Sequence, residues 1–298
     1  MAVIITSAVL GAVRVNLETR FRNAFDKVPT QRGMISEEVT STSSENVYDW
    51  LNELPHMREW IGPRVVHGLS ESLYRLPNKD FEYTIGVPRT KIEDDTVGTF
   101  GKRFEMMGRA AALFPEELVW RTLAAGFTAS CWDGQPFFDT AHPVIREDGS
   151  LGLYANTDGG AGPAWFLMDT TQVVMPIIEQ VRKRPEFVAR DRLEDDNVFF
   201  NKEFVYGTDA RGNAGYTFPQ LCWGSRQPLT AASYEAARTA MGSYRADYGR
   251  PLGIVPNLLV VPAALEGAAR RILKNELVGG GNTNEWAGTA DVLVARYL

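Results

Sequence analysis

The sequence predicts an α+β protein, with helices and strands in separate runs along the chain. Three observations carry that expectation. Residues 80–87 alternate strictly between polar and apolar, the period of a strand with one covered face. Residues 106–127 are rich in strong helix formers and show no such alternation. Residues 164–224 read mostly as strand, and residues 230–277 as two helices around a short apolar strand, so the two element types are segregated rather than alternating.

Composition sets the outer bounds. The chain has 298 residues, 44% hydrophobic and 23% charged, which excludes collagen-like, coiled-coil and fully disordered classes. Thirty-one basic against 37 acidic residues leave a net charge of −6, which argues against general affinity for nucleic acid. Two cysteines, Cys131 and Cys222, cannot build a disulfide framework and read as buried thiols in a reducing compartment. The apolar N-terminus lacks the leading cation of a secretory signal, and no stretch reaches the ~20 apolar residues of a membrane span. A soluble intracellular product, or a particle assembled inside a cell, is expected. Arg outnumbers Lys 24 to 7, a bias that suits interfaces because guanidinium forks onto carboxylates and stacks on rings; codon usage accounts for it equally well.

Taken in order, residues 1–44 read as an arm. Leu17, Phe21, Phe25 and Val28 share a helical face, and the polar run 36–44 has no core pattern, so a neighbouring subunit is the simplest thing to hold it. Residues 45–70 form an aromatic segment with Trp50, Leu51, Leu54, Trp60 and Ile61. Phe81, Tyr83, Ile85 and Val87 then line the clearest strand, which ends at Pro88. An acidic turn, Lys91 to Asp95, and a second extended stretch to Phe104 complete an expected projecting hairpin with little core of its own. Met106 to Phe127 follows as helix, with Pro115 marking either a kink or a second start. After a loop-rich stretch, 131–163, the strand-rich region holds AWFLM, MPIIEQV, VFFNKEFVYG and GYTFPQLCWG. Thr230 caps a helix whose stripe runs Tyr234, Arg238, Met241, Arg245 and Tyr248 to Gly249. LLVV at 258–261 is a buried strand, Leu265 to Leu277 a helix stopped by Gly279–Gly281, and VLVARYL the last strand.

The side chains that could carry chemistry form no convincing active site. Cys131, Asp139 and His142 are the only thiol, carboxylate and imidazole close in sequence, without a cysteine-hydrolase signature. His56, His67 and His142 have no metal-ligand spacing, and with two distant cysteines a zinc site would arise only by accident of folding. Asp94–Asp95 and Glu194–Asp195–Asp196 are carboxylate clusters without EF-hand alternation. The glycine runs match no phosphate-binding loop, and no Gly-Lys-Ser/Thr tripeptide exists. Cofactors are expected to be none, and a structural or binding protein is favoured. The alternative at this point is a hydrolase using Cys131 and His142.

Seven stretches, taken together and in order, resemble one family: 53–69 (ELPHMREWIGPRVVHGL), 78–100 (NKDFEYTIGVPRTKIEDDTVGTF), 108–127 (GRAAALFPEELVWRTLAAGF), 131–144 (CWDGQPFFDTAHPV), 162–170 (GPAWFLMDT), 206–225 (YGTDARGNAGYTFPQLCWGS) and 251–273 (PLGIVPNLLVVPAALEGAARRIL). The chain resembles the major head proteins of Mu-like bacteriophages, the gpT-type subunits, whose fold is similar to the HK97-type shell protein. That resemblance implies an N-terminal arm (1–44), a peripheral domain with a spine helix (45–71 and 105–168, with 291–298 returning to it), an extended loop (72–104) and an axial domain (169–290). It implies a shell of hexameric and pentameric capsomers around phage DNA, held only non-specifically. It also implies a virion location after assembly in the host cytoplasm, without a membrane. A portal and a separate scaffolding protein are expected, since no helical pro-region precedes the arm, and a decoration protein fits the same role. On this reading the inter-subunit contacts are Phe81, Tyr83, Ile85, Val87, Arg89, Asp94, Asp95, Arg58 and Arg64. The alternative of the same kind is another self-assembling phage structural component, such as a tail tube.

Overall fold

The computed structural model describes residues 5–52, 74–94, 97–277 and 281–298. Its elements are α1 (Ser7–Phe25), β1 (Ser36–Thr40), β2 (Glu45–Tyr48), β3 (Tyr74–Pro77), β4 (Lys79–Pro88), α2 (Arg89–Glu93), α3 (Val97–Ala125), β5 (His142–Ile145), β6 (Leu151–Tyr154), β7 (Thr157–Gly160) and β8 (Trp165–Met168). Then follow β9 (Ile177–Arg190), α4 (Asp196–Asn201), β10 (Glu203–Tyr216), β11 (Cys222–Arg226), α5 (Ala231–Gly242), β12 (Leu258–Val261), α6 (Glu266–Leu273) and β13 (Asp291–Val294). Helices and strands are mixed and segregated, as expected.

Two sheets share one long helix. The first has order β1-β9-β10-β4, with β1 parallel to β9 and the others antiparallel. Leu10, Leu17 and Phe21 of α1 and Phe104, Met107 and Ala111 of α3 bury against Ile85, Val87, Phe204 and Tyr206 of this sheet. Gly108 permits the helix crossing, because a Cβ there would lie 2.2 Å from the Phe21 carbonyl oxygen. The second sheet has order β13-β12-β8-β11-β7. Strands β8 and β12 are buried on both faces, which explains their unbroken apolar runs. Trp165, Leu167, Leu259 and Val261 face α5 and α6. Phe166, Met168, Leu258, Val260 and Leu293 face Val119, Trp120 and Leu123 of α3. The 29 residues of α3, about 44 Å at 1.5 Å per residue, therefore serve one core with the N-terminal half and the other with the C-terminal half. Pro115 sits inside this single helix.

Four expectations are corrected. Residues 97–104 are the first turns of α3, not a second hairpin strand, because Phe100, Phe104, Met107 and Ala111 fall on one helical face that the first core covers. The partner of β4 is β10, far along the chain, in a register running from Lys79↔Gly212 to Pro88↔Glu203. The polar run of the arm is held by its own chain: β1 pairs with β9, and the Ser41 amide donates to the Val181 carbonyl at 2.8 Å. Main-chain hydrogen bonds on a sheet edge need no apolar side chains, so composition could not reveal them. Residues 198–201, read as the start of a strand, belong to α4, with Asp196 in its first turn and Lys202 left-handed at its C-cap (φ 51°).

In the C-terminal third the reading holds with shorter bounds, whereas the stretch 131–163, read as loop-rich, carries the short strands β5, β6 and β7, and β9 runs well past the MPIIEQV segment. Thr230 and Ser233 form a reciprocal capping box on α5, which buries Tyr234, Ala237 and Met241 and ends at Gly242, before Arg245 and Tyr248. The expected boundary at 168/169 runs through the second sheet, since β8 pairs with β11 and β12.

Candidate functional site

On β4 the residues Phe81, Tyr83, Ile85 and Val87 share a face, and α3 covers only part of it. Ile85 and Val87 are buried within the subunit, so the expectation that the strand lacks a core of its own fails for these two. Phe81 is half-buried, its ring 4.3 Å from that of Phe114 on α3. Tyr83 is 54% exposed. Phe81, Tyr83, Ala110, Phe114 and Pro185 line an apolar groove of about 180 Å³.

The charged candidates divide in the same way. Arg89 donates to Glu93 at 2.9 Å within α2, so its guanidinium is engaged in its own chain. Asp94 is exposed, just beyond α2. Asp95, Arg58 and Arg64 lie outside the described residues, as do Leu54, Trp60, Ile61, His56 and His67.

Sequence reasoning missed an aromatic knob. Phe199 and Phe200 in α4, between β9 and β10, are 74% and 73% exposed and stack edge-to-face at 5.0 Å. A short helix at the end of a long hairpin displays adjacent rings together, whereas a strand would have put one of them on each face. Leu151 and Leu153 on β6 are likewise exposed.

Two buried carboxylates tie residues 31–32 to α3 and to the first sheet. Glu116, one residue after Pro115, accepts from the Gln31 amide at 2.8 and 3.0 Å, the Arg32 amide at 3.1 Å and Trp120 Nε1 at 2.9 Å. Arg32 in turn donates through Nε to Glu179 on β9 at 2.7 Å. Burial pushes the Glu179 carboxyl above its ordinary range, against the pull of Arg32. Residues 31–32 are thus tied to α3 through the main chain and to the first sheet through a side chain.

The structure does not assemble Cys131, Asp139 and His142 as one set. His142 Nδ1 lies 2.6 Å from Asp133 Oδ2, and the Cys131 thiol donates to Asp133 Oδ1 at 3.0 Å. Asp139 instead accepts from the Ala141 amide within its own turn. Burial, with the Asp133 carboxylate beside it, pushes the Cys131 thiol far above its usual range, the opposite of an activated nucleophile. Burial opposes charge on Asp133, yet the hydrogen bonds from His142 and Cys131 hold its carboxyl below the usual range. Cys222 is fully buried, its thiol raised by desolvation.

Comparison with known proteins shows the family of the chain. A family model for the Mu-like prophage major head subunit gpT matches residues 10–298. The chain is 38% identical to the major capsid protein of Escherichia phage Mu, over 99% of this chain and 100% of that one. It is 37% identical to the Mu-like prophage FluMu major head subunit of Haemophilus influenzae, over 92% of this chain and 91% of that one. Among solved structures, the chain of the bacteriophage JBD30 procapsid aligns with a TM-score of 0.84 at 38% identity, covering 99% of this chain and 100% of that one. The JBD30 capsid decorated with minor capsid protein trimers aligns with a TM-score of 0.79 at 31% identity, with coverage of 99% and 100%.

Proposed function

Given that the chain belongs to the family of Mu-like major head subunits of the gpT type, we propose that it closes its shell, as hexameric and pentameric capsomers, through apolar strips that its own cores leave uncovered. It is the major capsid protein of a phage head shell, with an HK97-like fold, and a structural protein rather than an enzyme. The virion capsid is its place.

The observation that carries the proposed contact is Tyr83, 54% exposed on a strand face whose next members, Ile85 and Val87, are buried. A face that begins in the core and continues into solvent, beside a groove walled by Phe81 and Phe114, suits a heterologous contact repeated by rotation. Asp94 offers a carboxylate for a neighbour's guanidinium, and Asp95, Arg58, Arg64 and Arg89 complete the proposed polar set; bidentate pairs fix geometry as well as energy. Ile85 and Val87 support the contact from beneath. A separate scaffolding protein and a portal take part during assembly in the host cytoplasm, with DNA enclosed non-specifically. A decoration protein belongs to the proposal by analogy with the JBD30 capsid.

Replacing Phe81 and Tyr83 together with Ser tests this reading. The unassembled subunit keeps its circular dichroism spectrum, and negative-stain micrographs of the co-expressed head proteins lose closed shells. Normal shell yield from the double variant overturns the contact.

A further inference from the structure

The loop after α3 and the first residue of β5 gather a thiol, a carboxylate and an imidazole at one buried point, and Asn156 fixes where their protons lie. Its Nδ2 donates to the carbonyls of Phe137, Pro219 and Cys222 at 2.7, 3.1 and 3.1 Å. Its Oδ1 therefore faces the opposite way, where it accepts from the Asp139 amide at 2.9 Å and meets His142 Nε2 at 3.2 Å. An acceptor oxygen at that position requires Nε2 to carry a hydrogen. Nδ1 is then the ring atom presented to Asp133 Oδ2, with one proton held between the two, while the Cys131 thiol presents a second to Asp133 Oδ1.

We propose that this cluster is a structural site for a divalent transition metal of the zinc class, ligated by Cys131 Sγ, an Asp133 carboxylate oxygen and His142 Nδ1. The three donor atoms all lie within 4.8 Å of one another. His142 is fully buried, and Cys131 is 5% exposed. Sulfur and imidazole nitrogen select zinc-like ions, whereas calcium and magnesium take oxygen ligands. The exchange conserves charge. With its two protons the cluster sums to zero: a neutral thiol and one proton shared by imidazole and carboxylate. Binding releases both protons to solvent, and a dication with one thiolate, one carboxylate and a neutral imidazole again sums to zero. A buried site tolerates that exchange because it acquires no net charge. The Nε2–H to Asn156 contact is the outer-shell device that orients a metal-bound imidazole. Tetrahedral bonds of about 2.0–2.3 Å put ligand atoms roughly 3.2–3.7 Å apart, so Asp133 Oδ2 and His142 Nδ1, 2.6 Å apart here, must separate on ligation. Gly134 lies in the turn that must give, with φ +85° and open space where a Cβ would stand. Water supplies the fourth ligand. The ion would pin the loop that closes the second core under the end of α3.

Co²⁺ is the direct probe. The full-length subunit, stripped with chelator and titrated, is expected to bind one Co²⁺ per chain with a thiolate-to-cobalt charge-transfer band, lost on adding Zn²⁺. Added Zn²⁺ also raises the melting temperature. Cys131→Ser removes the band and weakens binding at least tenfold, while Cys222→Ala retains both. The unsubstituted chain decides the matter even if Cys131→Ser fails to fold. A folded subunit with no charge-transfer band, or a band that depends on Cys222, overturns the site.

Discussion

Glu116→Ala is the sharpest test of how residues 31–32, between α1 and β1, are held. The carboxylate is 2% exposed and is the acceptor for three separate donors, the amides of Gln31 and Arg32 and the indole of Trp120. Truncation leaves all three without that partner. Each stranded buried donor costs about 1–3 kcal/mol. The three share one acceptor and are not additive, so a loss of about 3–5 kcal/mol is expected. Glu116→Gln keeps one acceptor oxygen but turns an NH₂ toward a donor, and an intermediate loss of about 1–3 kcal/mol follows. The loss should be local first, because residues 31–32 connect α1 to β1. Urea unfolding of the unassembled subunit gives the magnitude. Limited trypsin digestion gives the place, with cleavage after Lys27 and Arg32 accelerating before the rest of the chain opens. An Ala variant within 1 kcal/mol of the parent, with unchanged cleavage, would refute the clasp.

The neighbouring pair titrates with a defined sign. Arg32→Gln leaves the Glu179 carboxylate buried without its cation, at a cost of about 3–5 kcal/mol near neutral pH. Because the folded-state pKa of Glu179 is already raised by burial and rises further without Arg32, the folded state binds the proton more readily than the unfolded chain. The deficit therefore shrinks as pH falls through that folded value and grows as pH rises, and melting curves of parent and variant from pH 8 to 5 should converge. Phe199→Ser with Phe200→Ser touches exposed rings only, so subunit stability should stay within about 0.5 kcal/mol while the yield of sedimenting particles falls; unaltered yield would exclude the knob from assembly. The shell should hold without covalent cross-links, since an isopeptide bond needs a lysine amine positioned on an amide carbon and shielded from water, and Lys79 and Lys91 are exposed. Boiled particles should run as one band near 33.1 kDa, and a reductant-resistant ladder would show otherwise.

What the sequence disclosed and what it hid separate by range. The capping box at Thr230, the LLVV strand and the Ala-rich run of α3 are specified by residues a few positions apart, and local chemistry suffices to read them. The first turns of α3 were hidden because Phe100 and Phe104 spell a helical face only once the core formed by α1, β4 and β10 exists to cover it. The pairing of β1 with β9 was hidden because a parallel edge strand is held through its main chain, with a partner far along the sequence. Glu116 illustrates the same limit inside one motif. Pro-Glu-Glu reads as a helix start with favourable charge, whereas the first of those glutamates serves the main chain of residues 31–32, 85 positions away from Gln31. The buried loop cluster differs, because a local signal was present. Cys-x-Asp-Gly places a carboxylate in a tight turn that folds back on its own chain, and the Gln135 amide does donate to Asp133 at 3.0 Å. That turn aims Asp133 at Cys131, and the fold then delivers His142 to its other oxygen. Asp139, nearer to the histidine in sequence, is spent on the backbone of its own turn. Proximity along the chain pointed to the wrong carboxylate, and turn chemistry pointed to the right one.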